Sequence, residues 1–226
     1  MLKVSGLFIL LCGLFVPSSQ TIPVDASQIT DALTQELIDK KFLSLLGAIN
    51  LDGLLNTILS QVTGLLNLLT GSLLGNNVAI IRLQDPRLLQ LSLHFTPGSK
   101  EVELWIPCSS SLYVKLSLLD PLILNVQINI RVQLLLESGI DGKYRLVVGR
   151  CRLLPETIQL QSGTLLTPTT SLIVKNIETN LETFIINDLV AELCPFLNSL
   201  LSNLDLQLVN DLINLILQNA SLQVGI

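Results

Sequence analysis

The sequence predicts an α+β fold in which an elongated, twisted antiparallel sheet wraps around one long helix. Two runs carry that expectation. From Leu112 to Leu136 the even positions are almost all apolar and many odd positions are polar, the period of a strand with one buried face. From Ser171 to Leu204 the apolar residues instead recur in steps of three and four, the period of a helix with one buried stripe. A sheet with one apolar face and a long apolar helix must cover each other, because neither can leave that surface in water.

The helical stripe comprises Ile173, Ile177, Leu181, Ile185, Leu189, Leu193, Leu197, Leu200 and Leu204. Lys175, Glu178, Glu182, Asn187, Asn198 and Ser202 lie on the other side. Thr169 and Thr170, just after Pro168, are candidate N-caps. Pro195 lacks an amide donor, so a bend is expected there, while the continuing apolar period carries the helix past it.

The chain opens with Lys3, the apolar run Val4 to Val16, and small residues at Ser18 and Ser19. Residues 1–20 read as a secretory signal peptide and 21–226 as one extracellular domain. No later stretch reaches eighteen residues without polar interruption, so no integral membrane span is expected. Hydrophobic residues are 49% of the chain, charged residues 14% and aromatics 4%. Roughly one residue in four is leucine, so the core must be built without the large rings that most cores use. The formal net charge of −5 becomes −6 when Lys3 leaves with the signal. That balance gives no electrostatic attraction to nucleic acid or anionic lipid.

Two helical runs precede the strands. Ser27 to Leu46 places Ile29, Leu33, Leu37 and Leu45 on one face. A second run follows Asp52, a candidate N-cap, and carries Leu54, Leu55, Ile58, Leu59, Val62, Leu65, Leu66 and Leu69. Its other face holds Asn56, Thr57, Ser60, Gln61, Thr63 and Asn67, without a charge. An amphipathic helix ordinarily faces a core. This one lacks the Lys and Arg of an anionic-membrane binder, and its eight apolar residues are the candidates for contact with an apolar interface. Glycines at 47, 53, 64, 71 and 75 punctuate the region.

The strands follow. Leu89, Leu91, Leu93 and Phe95 alternate with Gln90, Ser92 and His94, ahead of a Pro97-Gly98 turn. Glu101 to Ile106 places Val102, Leu104 and Ile106 inward and Trp105 outward, a hint of a contact surface. In the Leu112–Leu136 run, Asp120-Pro121 suggests a bulge or bend. Lys143 to Leu153 and Thr157 to Gln161 complete the strands, with a turn at Ser162-Gly163. Asp205 caps a helix expected to run to Gln218, and Ala220 to Ile226 reads as a closing strand. Asn219-Ala220-Ser221 is a glycosylation sequon, with Asn219 the candidate acceptor.

Removing the signal takes Cys12 and leaves Cys108, Cys151 and Cys194, hence one pair and one leftover in an oxidising compartment. A bond from Cys151 to Cys194 would tie sheet to helix across roughly 43 residues, worth about 4 kcal/mol. Cys108, after Pro107 at the expected edge of a loop, is either a buried thiol or an intermolecular contact. With one histidine, His94, on the polar side of a strand, neither a metal site nor a catalytic dyad takes shape. No G-x-S-x-G, phosphate loop or recognisable carboxylate pair is present, so neither an enzyme nor a cofactor is expected.

The runs LQDPRLLQLSL (83–93), EVELWIP (101–107), YRLVVGRC (144–151) and LCPFLNSLLSNLDLQLVNDLINLIL (193–217) resemble the short palate-lung-nasal (PLUNC) proteins of the bactericidal/permeability-increasing (BPI) fold family. The resemblance is strong from Ile80 onward and looser over residues 21–75. It implies a twisted sheet rolled around a long helix, with the family's single disulfide on Cys151 and Cys194 and Cys108 outside it. The likeness is to leucine-rich surfactant members of saliva and sweat. It implies a secreted wetting protein that adsorbs at air–water or oil–water interfaces and lowers surface tension, as a monomer. The alternative is a lipid- or lipopolysaccharide-binding mucosal defence protein. Its basic residues would be Lys143, Arg145, Arg150 and Arg152, but simple alternation puts the first two on the face opposite the last two.

Overall fold

The period-two runs form one antiparallel sheet. The computed structural model describes residues 25–70, 79–116, 120–140, 142–160 and 168–221, without the side chains of 62–70, 160, 169 and 170. Residues 1–20 and the Ser162-Gly163 turn lie outside the described residues. The strands are β1 (Ala79–Leu88), β2 (Ser92–Phe95), β3 (Glu101–Leu116), β4 (Leu122–Ser138) and β5 (Tyr144–Leu160). Their order is β1-β3-β4-β5, and β2 pairs with the opposite end of β3 from β1. At 16, 17 and 17 residues, β3, β4 and β5 each reach about 50–55 Å.

Three local expectations change. Cys108 is not at a loop: β3 runs through Pro107 and Cys108, which pair with Asn129 and Ile128 of β4. Pro107 has no N–H to give, but Leu89 N–H donates to its carbonyl at 2.8 Å, so the edge continues between β1 and β2. Asp120-Pro121 marks no bulge within one strand. It lies where the chain reverses from β3 into β4, with Val114 opposite Leu122 and Leu112 opposite Leu124. The third change is β1, which the pattern reading passes over. Ala79, Ile81 and Leu83 alternate with Ile80 and Arg82, and Asp85-Pro86 disguises the strand as a turn. Asp85 adopts φ 50°, and the β1–β3 register shifts between Gln84 and Arg87, so the break is a bulge.

The edge strand β5 carries two bulges. Val148 pairs with Leu134 and Cys151 with Val132, so β5 uses three steps where β4 uses two. Gly149 sits in this bulge. A Cβ there would lie 3.1 Å from Leu135 Cδ1 and 3.3 Å from the Gln133 carbonyl oxygen, which explains the glycine. The second shift, between Gln127 and Ile128, accommodates Pro155 and Glu156.

The inner face is apolar apart from Ser110, whose Oγ donates to the Gln84 carbonyl at 2.9 Å. Val102, Leu104, Ile106, Cys108, Leu112 and Val114 of β3 and the even positions of β4 from Leu122 to Leu136 are buried. Against them lies the long helix: α4 (Pro168–Phe184), a π-helical turn (Ile185–Leu189) and α5 (Val190–Ser202). Pro168 occupies the first helical position, so Thr169 and Thr170 fall inside the helix rather than capping it. The helix runs through Pro195, and its departure from α geometry falls upstream, at Ile185–Leu189. Its stripe explains this. Ile173, Ile177, Leu181, Ile185, Leu189, Leu193, Leu197 and Leu201 are all buried and all four apart. In an α-helix a four-residue step overshoots one turn by about 40°, so the stripe would wind off the sheet. A wider turn midway takes up the drift.

After Asn203 the chain enters α6 (Leu206–Ser221). Asp205 Oδ1 accepts from the Gln207 and Leu208 N–H groups at 2.6 and 3.1 Å, a built N-cap. Ala220 and Ser221 continue this helix instead of opening a strand, and residues 222–226 lie outside the described residues. Leu208, Leu212 and Ile216, a helical repeat of four, are buried, and that face sets the helix length.

Cys151 of β5 and Cys194 of α5 are joined, with Cα atoms 5.8 Å apart, inside the ordinary range for a disulfide. Cutting the bond by Cys151→Ala with Cys194→Ala should lower unfolding stability by about 4 kcal/mol, read from the urea midpoint. Non-reducing peptide mapping should recover the 151–194 pair and a reduced Cys108. A second prediction concerns Glu178 on α4. Partial burial raises its carboxyl above the ordinary range, repulsion from Glu182 adds to that, and Lys175 opposes it. A folded-state value above the unfolded one means that the charged form costs stability at neutral pH. The cost disappears as pH falls and the group takes up its proton. The group is still mostly wetted, so Glu178→Gln should stabilise at pH 7 by at most about 0.5 kcal/mol. Below about pH 4 the two proteins should unfold alike in urea.

Candidate interfacial surface

The N-terminal helices form a separate layer over one edge of this core. Asp25 Oδ1 accepts from the Ser27 N–H at 2.9 Å and starts α1 (Ala26–Asp39), which buries Ile29, Leu33 and Leu37. The single run expected from Ser27 to Leu46 is broken: Lys41 takes a left-handed conformation, φ 59°. The break turns Phe42 and Leu46 of α2 (Phe42–Gly47) into the core, which one straight helix could not do. The Phe42 ring is fully buried and stacks on Phe196 of α5, centroids 6.1 Å apart.

The candidate contact helix is α3 (Asp52–Thr70). Asp52 is its first residue rather than its cap. Asn50 Oδ1 accepts from the Asp52 N–H at 2.8 Å. Leu54 and Ile58 are buried, Leu55 and Leu59 half-buried, and Asn56, Thr57, Ser60 and Gln61 exposed. Val62, Leu65, Leu66 and Leu69 are helical, and their side chains lie outside the described residues. The helix rests on α4 and β1, and Gln61 Oε1 accepts from Asn180 Nδ2 at 2.9 Å and from Asn176 Nδ2.

Beneath the α2–α3 connection lies a small cavity of about 40 Å³. Leu46, Ile49 and Leu51 close it from above, and Cys108, Ile128, Phe184 and Ile185 line it from below. It has room for roughly three waters but little to hydrogen-bond them, so it should be dry. The void removes packing from the seam between N-terminal layer and core, a loss of roughly 1 kcal/mol. Cys108 is buried there, its Sγ 3.7 Å from the Ile106 carbonyl oxygen. Burial pushes its thiol up to about 12, so it stays protonated and unreactive while the layer is closed.

The outer face of the sheet is polar and largely self-satisfied. His94 stacks on Trp105, centroids 3.7 Å apart, and the Arg131 guanidinium lies 3.9 Å from the same ring. Trp105, expected to mark a contact surface, is thus covered by its own neighbours. Its Nε1 donates to Glu103 Oε2 at 2.8 Å, and Arg152 pairs with the other Glu103 oxygen. Burial alone would raise the Glu103 carboxyl. Hydrogen bonds from Trp105 and Arg152, with the charges of Arg152 and Arg131, hold it below the ordinary range. The bulge at Gly149 also overturns a prediction. Arg145 pairs with Glu137 and Arg152 with Arg131, both odd positions of β4, so the two arginines share the outer face. Arg152 pairs with Glu103, and Arg145 stands opposite Glu137 in the register.

Asn219 is half-buried on α6, and its Nδ2 donates to the Thr96 carbonyl at 3.4 Å. Among the described residues, no group of three His, Cys, Asp or Glu side chains could hold a metal. Phe42–Gln61 and Ser171–Ser202 are long and apolar enough to cross a membrane. The first is interrupted between α2 and α3, and the second is the core helix.

Residues 31–204 match the LBP / BPI / CETP family, N-terminal domain. Latherin from Equus caballus is 62% identical over 228 residues, covering all of both chains. Latherin from Equus quagga burchellii is 61% identical, covering 89% of this chain and 99% of its own. BPI fold-containing family A member 1 from Bos taurus is 31% identical, covering 92% and 94%. The solution structure of latherin superposes with a TM-score of 0.76, at 61% identity over 89% of this chain and 95% of that one. The sheet, the long helix and this likeness along the chain agree: the protein belongs to the LBP / BPI / CETP family, among its BPI-fold, PLUNC-type members.

Proposed function

We propose that this protein is a secreted surfactant, a non-enzymatic wetting agent that adsorbs at air–water and apolar surfaces as a monomer and lowers surface tension. In this reading residues 1–20 direct secretion and 21–226 act as one domain. The observation that carries it is the N-terminal layer: α3 has a polar face uncharged after Asp52, buries Leu54 and Ile58, and follows a connection that lies over a small apolar void. Near-full-length identity of 62% to latherin supports the same reading.

The mechanism follows from two magnitudes. Burying a leucine is worth roughly 1.5–3 kcal/mol, and an air or oil surface offers a comparable gain. Lifting α1–α3 from the core therefore costs far less at an interface than in water. The 151–194 disulfide keeps α5 on the sheet meanwhile, so opening stops at the N-terminal layer. The polar outer face stays in water with its ring stacks and ion pair intact.

The lipid-carrier alternative asks for a cavity that admits an acyl chain, and the one under α2–α3 is about 40 Å³. Mass spectrometry of an organic extract of purified protein should show no defined lipid at one per chain. Finding one would replace the surfactant reading.

The surfactant reading is tested on Leu55→Ser with Leu59→Ser, half-buried positions whose loss leaves Leu54 and Ile58 in the core. Circular dichroism should show the variant folded, and tensiometry a slower and smaller fall in surface tension. Neutron reflectivity should show a thinner adsorbed layer for wild type than for a variant that cannot open. A folded variant as fast and as strong as wild type would remove α3 from the active surface.

A further inference from the structure

We propose that Gln61, Asn176 and Asn180 form an amide latch that sets how fast α3 leaves the core; this rests on the opening mechanism proposed above. Gln61 is 115 and 119 residues from Asn176 and Asn180 in sequence, and the three side chains meet where α3 crosses α4. Asn176 and Asn180 are four apart on one face of α4, and both amide groups donate to the single Gln61 Oε1. Asn180 Nδ2 also reaches Asn176 O at 2.8 Å and Asn176 Oδ1 at 3.0 Å. Those contacts hold the asparagine pair in place whether or not Gln61 is there.

The chemistry suits a latch better than a weld. The site is exposed or half-buried, so water can replace each bond as it breaks, and the net strength of each is modest. The groups are neutral, so the closure is not screened by salt as an ion pair would be. Lys175 and Thr179 border the cluster on α4, and Leu172 lies beside it, 59% exposed. The latch therefore closes the polar side of α3, while Leu54 and Ile58 hold the apolar side. Among the described residues, breaking it leaves the apolar contacts of Leu54 and Ile58, which the interface itself can replace.

The test is a double-mutant cycle on the full chain with two readouts. Gln61→Met keeps length and helix propensity and removes the acceptor; Asn176→Ala with Asn180→Ala removes the donors. Hydrogen exchange of the α3 amides in bulk reports the latch, and the initial rate of surface-tension fall reports release. Each variant should speed α3 exchange about tenfold, the size expected of one or two net amide hydrogen bonds, and adsorption in step. Because both remove the same bonds, all three changes together should also give about tenfold rather than about a hundredfold. Exchange of the α3 amides in wild type should not change with salt. Unchanged exchange in either variant, or effects that multiply when combined, would overturn the latch. Faster exchange with unaltered adsorption would leave the bonds standing and sink the release mechanism instead.

Discussion

The structure depends on one contact: the leucine and isoleucine stripe of α4–α5 buried in one core with the apolar inner face of the sheet, β5 being the strand that runs nearest the helix. Every fourth residue from Ile173 to Leu201 is buried, against an unbroken row of even positions from Leu122 to Leu136. The contact constrains both partners. The helix must take a π turn to keep its stripe on the sheet, and the sheet must be long enough to match a helix of more than thirty residues. The disulfide then pins one end of this contact, joining the edge strand to the helix beside the proline.

A chain that is about one-quarter leucine risks edge-to-edge aggregation, and the outer surfaces answer that risk. Gly149 and Pro155 each accompany a bulge on the edge strand β5, and Asp85-Pro86 does the same for β1. Such irregular edges pair poorly with another chain. On the outer face, Gln133 donates to Glu101, Thr157 to Gln127 and Asn129 to Glu156, so polar side chains link the strands, while Asn129 Oδ1 and Arg131 Nε are buried without a partner. The molecule has one stiff, wetted side and one loosely laid apolar side. In the proposed mechanism that asymmetry would offer leucines at an interface while keeping them covered in solution.

The loose side is loose for identifiable reasons. Its three helices are short relative to the core helix and are broken at Lys41 and again between Ala48 and Leu51. They meet the core over a dry void, and the described polar link between α3 and α4 is a group of neutral amides. Phe42 stacks on Phe196, so in the proposed opening α2 serves as the pivot and α3 as the part that lifts.

The sequence by itself determined the elements whose cause is local: the two-residue alternation of β3 and β4, the long apolar helix, the Asp205 cap, and the two-faced character of α3. It also displayed the family likeness, and with it the roll of sheet around helix. What it left undecided depends on partners far along the chain. Pro107-Cys108 looks like a loop until β4 is placed beside it, and β1 looks like a turn until β3 shows that Asp85-Pro86 is a bulge. Arg145 and Arg152 share a face because an extra residue at Gly149 reverses the alternation, and a bulge is defined only by the strand opposite. Lys41 turns left-handed because Phe42 must reach Phe196, more than 150 residues away. The Gln61 latch joins amides 115 and 119 residues apart that no spacing could bring together. Periodicity records which face of an element is buried; only tertiary packing decides which residues meet across it.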